Sequence, residues 1–275
     1  MATILILLLI LAVLLGLWVF LAAPGASGHA QRAPFSGRLY AHRGLYTKDQ
    51  TIPENSLPAF AAARERRYGV ELDVQLSKDG DVVVFHDDDL KRVCGVDARV
   101  DALTTQELFA LRLFESGERM PLFTEVMAAL GPETPVIVEL KSGPSNDPLC
   151  EKTLALLRAI PGIYCVESFD PRIVAWFRTH APDILRGQLV MPFSFYKGSR
   201  VTAFFLSNLL LNVLARPQFL ARETTLKSAS LWLSLLFHPM RVVWTVRPKD
   251  DFSRLRREND AIIFEHFCPV EEKQG

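Results

Sequence analysis

The sequence has little cysteine. Only Cys94, Cys150, Cys165 and Cys268 occur, with no CxxC pair and no Cys/His cluster. That argues against a zinc site and against a dense disulfide framework, and it leaves the thiols as small apolar residues. Net charge is missing as well. Lys+Arg and Asp+Glu both number 31, so no broad basic surplus is available to hold a nucleic acid. There is no internal repeat, and no low-complexity tract outside the N-terminal stretch.

That stretch lacks charge altogether. Residues 2–23 are dominated by Leu, Ile, Val, Phe and Trp, and roughly 20 apolar residues suffice for a helix to cross a bilayer core. A secretory signal opens on Lys or Arg and has an apolar run of only about 7–15 residues. Here the run starts directly after Met1, which favours a retained transmembrane anchor over residues 1–23. Cleavage near Ala26-Ser27-Gly28 is the alternative. The nearest basic residues, Arg32 and Arg38, follow the run and none precede it. Taken alone, the positive-inside rule then places the rest of the chain in the cytoplasm. Residues 24–36, with Gly, Pro and Ser, read as a linker.

From residue 37 onward, short β-branched runs alternate with helical patterns, the signature of βαβ units. Strands are expected at 37–42, 69–74, 82–86, 136–141, 163–168, 184–190, 218–221, 241–246 and 261–264. The second and third are separated by the turn around Lys78-Asp79-Gly80-Asp81, which is too short for anything but an antiparallel hairpin. The third therefore reads as a return arm, and eight strands remain. Helices are expected at 56–67, 105–113, 124–130, 151–158, 171–179, 199–214, 228–237 and 249–258. A (β/α)8 TIM-type barrel over residues 37–270, behind an N-terminal transmembrane helix, fits this order and length.

Barrel active sites are built at the carboxyl ends of the strands. His42 and Arg43 close the first strand, Glu71 and Asp73 the second, and Glu139 and Lys141 the fourth, while His86 ends the return arm. The acidic pairs are two residues apart and so share a side of their strand. Three carboxylates without cysteine form a hard-oxygen site suited to Ca²⁺ or Mg²⁺. Arg43 offers a planar fork to phosphate oxygens and Lys141 a point charge. His42 and His86, whose imidazoles titrate near neutrality, suit a general base and a general acid. Singly, each residue has an ordinary structural role open to it. Together they do not, since buried charges are costly without partners.

The ordered blocks resemble the glycerophosphodiester phosphodiesterase family. They are Ala41-His42-Arg43-Gly44, Pro53-Glu54-Asn55-Ser56, Glu71-Leu72-Asp73-Val74, His86-Asp87, Glu139-Leu140-Lys141, Ser168-Phe169 and Trp244-Thr245-Val246. The resemblance runs from about Leu39 to Phe267. It implies metal ligation by Glu71, Asp73 and Glu139, acid–base work by His42 and His86, and phosphate contact from Arg43 and Lys141. It also implies a supporting role for Glu54 and a rim aromatic at Trp244, which could equally be a packing residue. Two departures stand out: Arg247 where the family has Asn, and Phe264-Glu265-His266-Phe267 where a Thr-Asp pair precedes Pro. The implied reaction is hydrolysis of glycerophosphodiesters to a phosphomonoester, sn-glycerol 3-phosphate, and an alcohol. A lysophospholipase D-like action on membrane lysolipids, or an inactive binding module, are the rivals.

An apolar insertion spans about 196–239. Residues 201–215 carry no charge, and their polar members are spread round the helix rather than sharing a face. Such a helix is either buried against the barrel or faces lipid.

Overall fold

The computed structural model describes residues 1–269, so Val270, the last residue of the expected barrel span, lies outside the described residues. The chain opens with α1 (Ala2–Ala22) and α2 (His29–Arg32). Then follow β1 (Leu39–His42), α3 (Leu57–Glu65), β2 (Gly69–Leu76) and β3 (Val82–Val84). Three short helices, α4 (Lys91–Cys94), α5 (Thr105–Phe109) and α6 (Phe123–Leu130), lead to β4 (Pro135–Leu140). Next come α7 (Asn146–Ala159), β5 (Ile163–Ser168), α8 (Pro171–His180) and β6 (Arg186–Val190). The remainder is α9 (Arg200–Ser207), α10 (Asn212–Ala215), β7 (Phe219–Glu223), α11 (Ala229–Leu235), β8 (Met240–Val246), α12 (Phe252–Glu258) and β9 (Ala261–Phe264).

All strands but β3 pair in parallel, and β1 pairs both β2 and β9, which closes an eight-stranded TIM-type barrel. β3 runs antiparallel to β2 through Val74↔Val84, as the five-residue connection 77–81 demands. Closure explains the composition of the strands. Barrel strands are covered by helices outside and by one another inside, so β4 is buried at all six positions. The outer layer, between strands and helices, holds Phe60, Phe123, Phe177 and Leu72. The barrel interior holds Tyr40, Ile137, Leu189 and Phe219.

One expectation is corrected. The helix expected at 199–214 is two helices, α9 and α10, separated at Leu209, whose φ of 55 lies in the left-handed region. A β-free helix pattern in sequence carries no mark of that break, because no Gly or Pro announces it. Residues 24–36 connect α1 to β1. They cross the floor of the barrel, opposite the rim at the carboxyl ends of the strands: Gly25 donates to the Pro217 carbonyl, Arg32 to the His238 carbonyl, and Phe35 is buried beneath the interior layer.

The break also separates residues that a continuous apolar helix would treat alike. Leu209 is 2% exposed and packs with Val190, Leu220 and Leu231, whereas Phe205 is 38% exposed. Leu209→Ala is therefore expected to cost roughly 2–5 kcal/mol in thermal or urea unfolding. Phe205→Ser should stay within about 0.5 kcal/mol of the parent. Equal costs at the two positions would show that both pack against the barrel.

Candidate active site

The site grows from the strand ends. β2 and β4 pair with Asp73 opposite Glu139, and β1 and β2 with His42 opposite Glu71. Register alone therefore gathers one His and three acids on a single rim. One oxygen from each of Glu71, Asp73 and Glu139 lies within 4.8 Å of the others, and all three residues are buried. β5 adds Glu167, which pairs in register with Glu139 and is also buried.

The loop after β1 supplies Arg43. Its φ of 53 turns the chain sharply, and Gly44 follows with φ +80 where a Cβ would stand 2.9 Å from the Ala59 backbone. The close approach to α3 thus requires glycine. Arg43 donates its backbone NH to Glu71 (3.1 Å) and its side chain to Glu54 (2.8 Å), and its Nε is 3.6 Å from Asp73. Asn55, also left-handed, donates to Asp73 at 2.9 Å, and Ser56 caps the start of α3. Lys141 lies one residue past β4, donating to Glu139 at 2.8 Å and standing 3.4 Å from Asp73.

Each histidine is held by a carboxylate. His42 Nδ1 is 2.6 Å from Glu265 Oε2, which also accepts from Tyr46 at 2.8 Å. The other Glu265 oxygen accepts from Arg247 at 2.7 Å. His86 Nδ1 is 2.6 Å from Asp87, and Arg92 joins Asp87 to Glu54 through bonds of 2.6 Å to each. One charged chain therefore runs His86–Asp87–Arg92–Glu54–Arg43. A carboxylate on Nδ1 fixes ring orientation and leaves Nε2 as the nitrogen open to another partner.

The electrostatics are those of a crowded acid cluster. Burial raises Glu71 well above the usual carboxylate range, and Asp73, Glu139 and Glu167 push it further. Burial raises Glu167 in the same way, helped by Glu139 and Asp73. Burial also raises Glu139, against the pull of Lys141. Asp73 goes the other way: burial would raise it, but His86, Lys141 and Arg43 hold it ionised. Burial lowers both histidines, partly opposed by Glu265 at His42 and by Asp73 at His86.

These residues fit a hard divalent cation. Two oxygens at 2.3–2.6 Å from one ion stand at most about 5 Å apart, and the 4.8 Å spread of the three acids lies inside that span. Asp73 Oδ1 and Glu167 Oε2 are buried without a hydrogen-bond partner, so acceptor capacity remains in the cluster.

A cleft of about 290 Å³ opens beside the cluster, with His42, Arg43, Glu71 and His86 on one side. Phe169, Leu189, Met191 and Trp244 form an apolar wall on the other. Trp244 fills both roles open to it in the sequence: its indole NH donates to the Ala221 carbonyl at 2.8 Å while the ring meets Phe169 edge-on and lines the cleft.

The glycerophosphoryl diester phosphodiesterase family matches residues 42–267. The chain belongs to that family. A glycerophosphodiester phosphodiesterase of Caldanaerobacter subterraneus subsp. tengcongensis is 38% identical over 111 residues, which is 38% of this chain and 44% of that protein. The lysophospholipase D GDPD1 of Rattus norvegicus is 30% identical over 154 residues, 51% of this chain and 47% of its own length. These matches thus span about half the length of the relatives. An Oleispira antarctica phosphodiesterase solved with sn-glycerol-3-phosphate shares the barrel at TM-score 0.68 and 20% identity, over 83% of this chain and 93% of that one.

Within this family frame, the structure gathers every residue singled out in the sequence: His42, Arg43, Glu54, Glu71, Asp73, His86, Glu139, Lys141 and Trp244. Arg43 lines the cleft, Lys141 lines a separate small pocket past β4, and both are wrapped by carboxylates. Glu265, Asp87, Arg92, Asn55 and Glu167 were not singled out for roles. Glu167 carried a usable signal, since it sits next to last in a buried strand, as Glu139 does.

Proposed function

We propose that this chain hydrolyses glycerophosphodiesters to sn-glycerol 3-phosphate and an alcohol, using a divalent cation, Ca²⁺ or Mg²⁺. The observation that carries this reading is one rim on which two histidines, each braced by a carboxylate, flank three clustered acids. Glu71, Asp73 and Glu139 would hold the cation, which supplies charge neutralisation at a phosphoryl oxygen. Arg43 and Lys141 add positive charge beside the same oxygens. One histidine removes the proton of the attacking oxygen, either that of water or that of a neighbouring substrate hydroxyl, in which case a cyclic phosphodiester forms and a water then opens it to the phosphomonoester. The other gives a proton to the departing alcohol. Glu54 sets Arg43 through their 2.8 Å bond, and Trp244 shapes the apolar wall.

We further propose that α1 is retained as a single-pass anchor in the cell membrane. A helix leaves its last four carbonyls without intrahelical partners, and here barrel side chains bond two of them, Phe20 and Ala22, together with that of the cap residue Ala23. Asn212 and Ser234 both donate to the Ala22 carbonyl at 2.8 Å, and Arg216 donates to Phe20 and Ala23. A segment destined for removal has no use for such caps. The anchor favours a second reading, lysophospholipase D-like action on membrane lysolipids.

A substrate panel from glycerophosphocholine to lysophosphatidylcholine tests both readings. Turnover of glycerophosphocholine supports the first, and turnover confined to the lysolipid supports the second. A chain that hydrolyses neither in the presence of Ca²⁺ or Mg²⁺ is a binding module.

A further inference from the structure

We infer that the barrel stands with its catalytic rim against the bilayer, so that the cleft opens onto the lipid surface that α1 crosses. This rests on the anchor reading above and adds a direction to it.

The direction follows from how α1 meets the barrel. Trp18 Nε1 donates to Ser230 Oγ at 2.9 Å, near the start of α11. Four residues on, the Ala22 carbonyl accepts from Ser234, near the end of α11. Both helices advance together, so they run side by side in the same sense. α11 descends from the rim end of β7 to the floor end of β8, as any helix between parallel barrel strands must. The C-terminal end of α1 therefore lies at the floor, where Gly25 bonds to Pro217 just before β7. Residues 2–17, all exposed, leave the barrel on the rim side.

Length then sets the distance. Twenty-one helical residues span about 31 Å at 1.5 Å each, close to the ~30 Å bilayer core. The part free of the barrel, residues 2–17, spans only about 24 Å. For α1 to cross the core, the stretch beside the start of α11 must reach the bilayer boundary. The rim is brought to the lipid with it.

The rim surface there suits a lipid partner. Among the described residues, every exposed large hydrophobic outside the N-terminal segment falls between Phe193 and Phe237. Phe193 and Phe195 follow β6 at the rim, Val201, Phe204 and Phe205 lie on α9, and Trp232 lies near the start of α11, while Leu214, Leu236 and Phe237 lie toward the floor ends of α10 and α11. Patches of this kind mark interaction surfaces. Charge agrees. Residues 184–249 contain a single acid, Glu223, against nine Lys and Arg. Three of these, Lys197, Arg200 and Lys227, are exposed in or next to the rim loops after β6 and β7. Aromatic groups among basic ones favour an anionic interface. The apolar wall of the cleft, from β5, β6 and β8, lies on the same side of the barrel as α1. A phosphodiester still seated in the leaflet would then meet the cleft with its polar part toward His42 and His86.

The test uses the full chain in vesicles of phosphatidylcholine with phosphatidylglycerol, some carrying a nitroxide quencher just below the headgroup. A fluorescent thiol label is placed singly at Phe195→Cys or Phe204→Cys on the rim, and at Asp183→Cys or Glu258→Cys on the floor side. Cys94→Ser and Cys268→Ser remove the accessible native thiols. Rim labels are expected to lose most of their emission to the quencher and floor labels to keep theirs. Rim labels that stay bright, or floor labels that are quenched instead, overturn the orientation, provided the chain resists alkaline carbonate extraction. A chain released by carbonate overturns the anchor reading and the orientation together. The readout does not depend on turnover, so it is separable from the proposed chemistry. Circular dichroism of each labelled chain confirms that these exposed positions have left the fold intact.

Discussion

Stripping divalent cations from the full chain is expected to abolish hydrolysis of a soluble glycerophosphodiester, and Ca²⁺ or Mg²⁺ to restore it. The local charge balance sets this requirement. Glu71, Asp73, Glu139 and Glu167 are buried together, and among the described residues Arg43 and Lys141 are the cations beside them. A diester phosphate brings a further negative charge to the same rim. Electrostatic stabilisation of that charge is worth several kcal/mol when a bound ion supplies it. Asp73→Asn keeps the shape of the side chain and removes a ligand charge, so it should weaken metal binding by calorimetry as well as turnover. Full activity in excess chelator, with metal content measured as nil, would refute cation dependence and leave Arg43 and Lys141 as the charge-bearing groups.

The second large effect concerns the histidines. His42→Ala and His86→Ala are each expected to lower kcat by roughly 10²–10⁴-fold, the usual contribution of a positioned acid or base. Both side chains are partly exposed at the cleft, so their loss should leave the barrel folded. Groups that act in one reaction are strongly non-additive. The double variant is therefore expected to fall little below the worse single one, rather than to the product of the two losses. Steady-state kinetics on the soluble diester measure this directly. A single variant that keeps near-parent kcat removes that histidine from proton transfer.

The barrel was legible because its signals are local. Alternating apolar runs and helical patterns sit at regular spacing, and the Lys78–Asp81 turn is short enough to force the β2–β3 hairpin by itself. The core of the site was legible for a related reason. His42, Glu71, Asp73 and Glu139 lie at the ends of strands, where barrel architecture fixes their common rim before any contact is known. What stayed hidden depends on closure. Arg247 and Glu265 read as two separate departures from the family pattern, yet they are one ion pair at 2.7 Å, and Glu265 is also the partner of His42. That relation exists only once β9 lies beside β1 and β8. Arg92 was equally opaque, since its bonds reach from α4 back to Glu54, 38 positions earlier in the chain. The interruption at Leu209 lacks the Gly or Pro that would betray it.

The pairing of β1 with both β2 and β9 has one more consequence. A tether confines molecules to a two-dimensional layer, where copies meet far more often than in free solution. Open sheet margins are the usual route by which such neighbours zip into aggregates. This sheet has almost none to offer. Its one strand outside the closed ring, β3, is three residues long, and its far side is engaged by the 121–122 segment through Val84 to Pro121 and Val83 to Leu122. If α1 is retained as proposed, crowding on a surface therefore finds no free ladder to extend among the described residues.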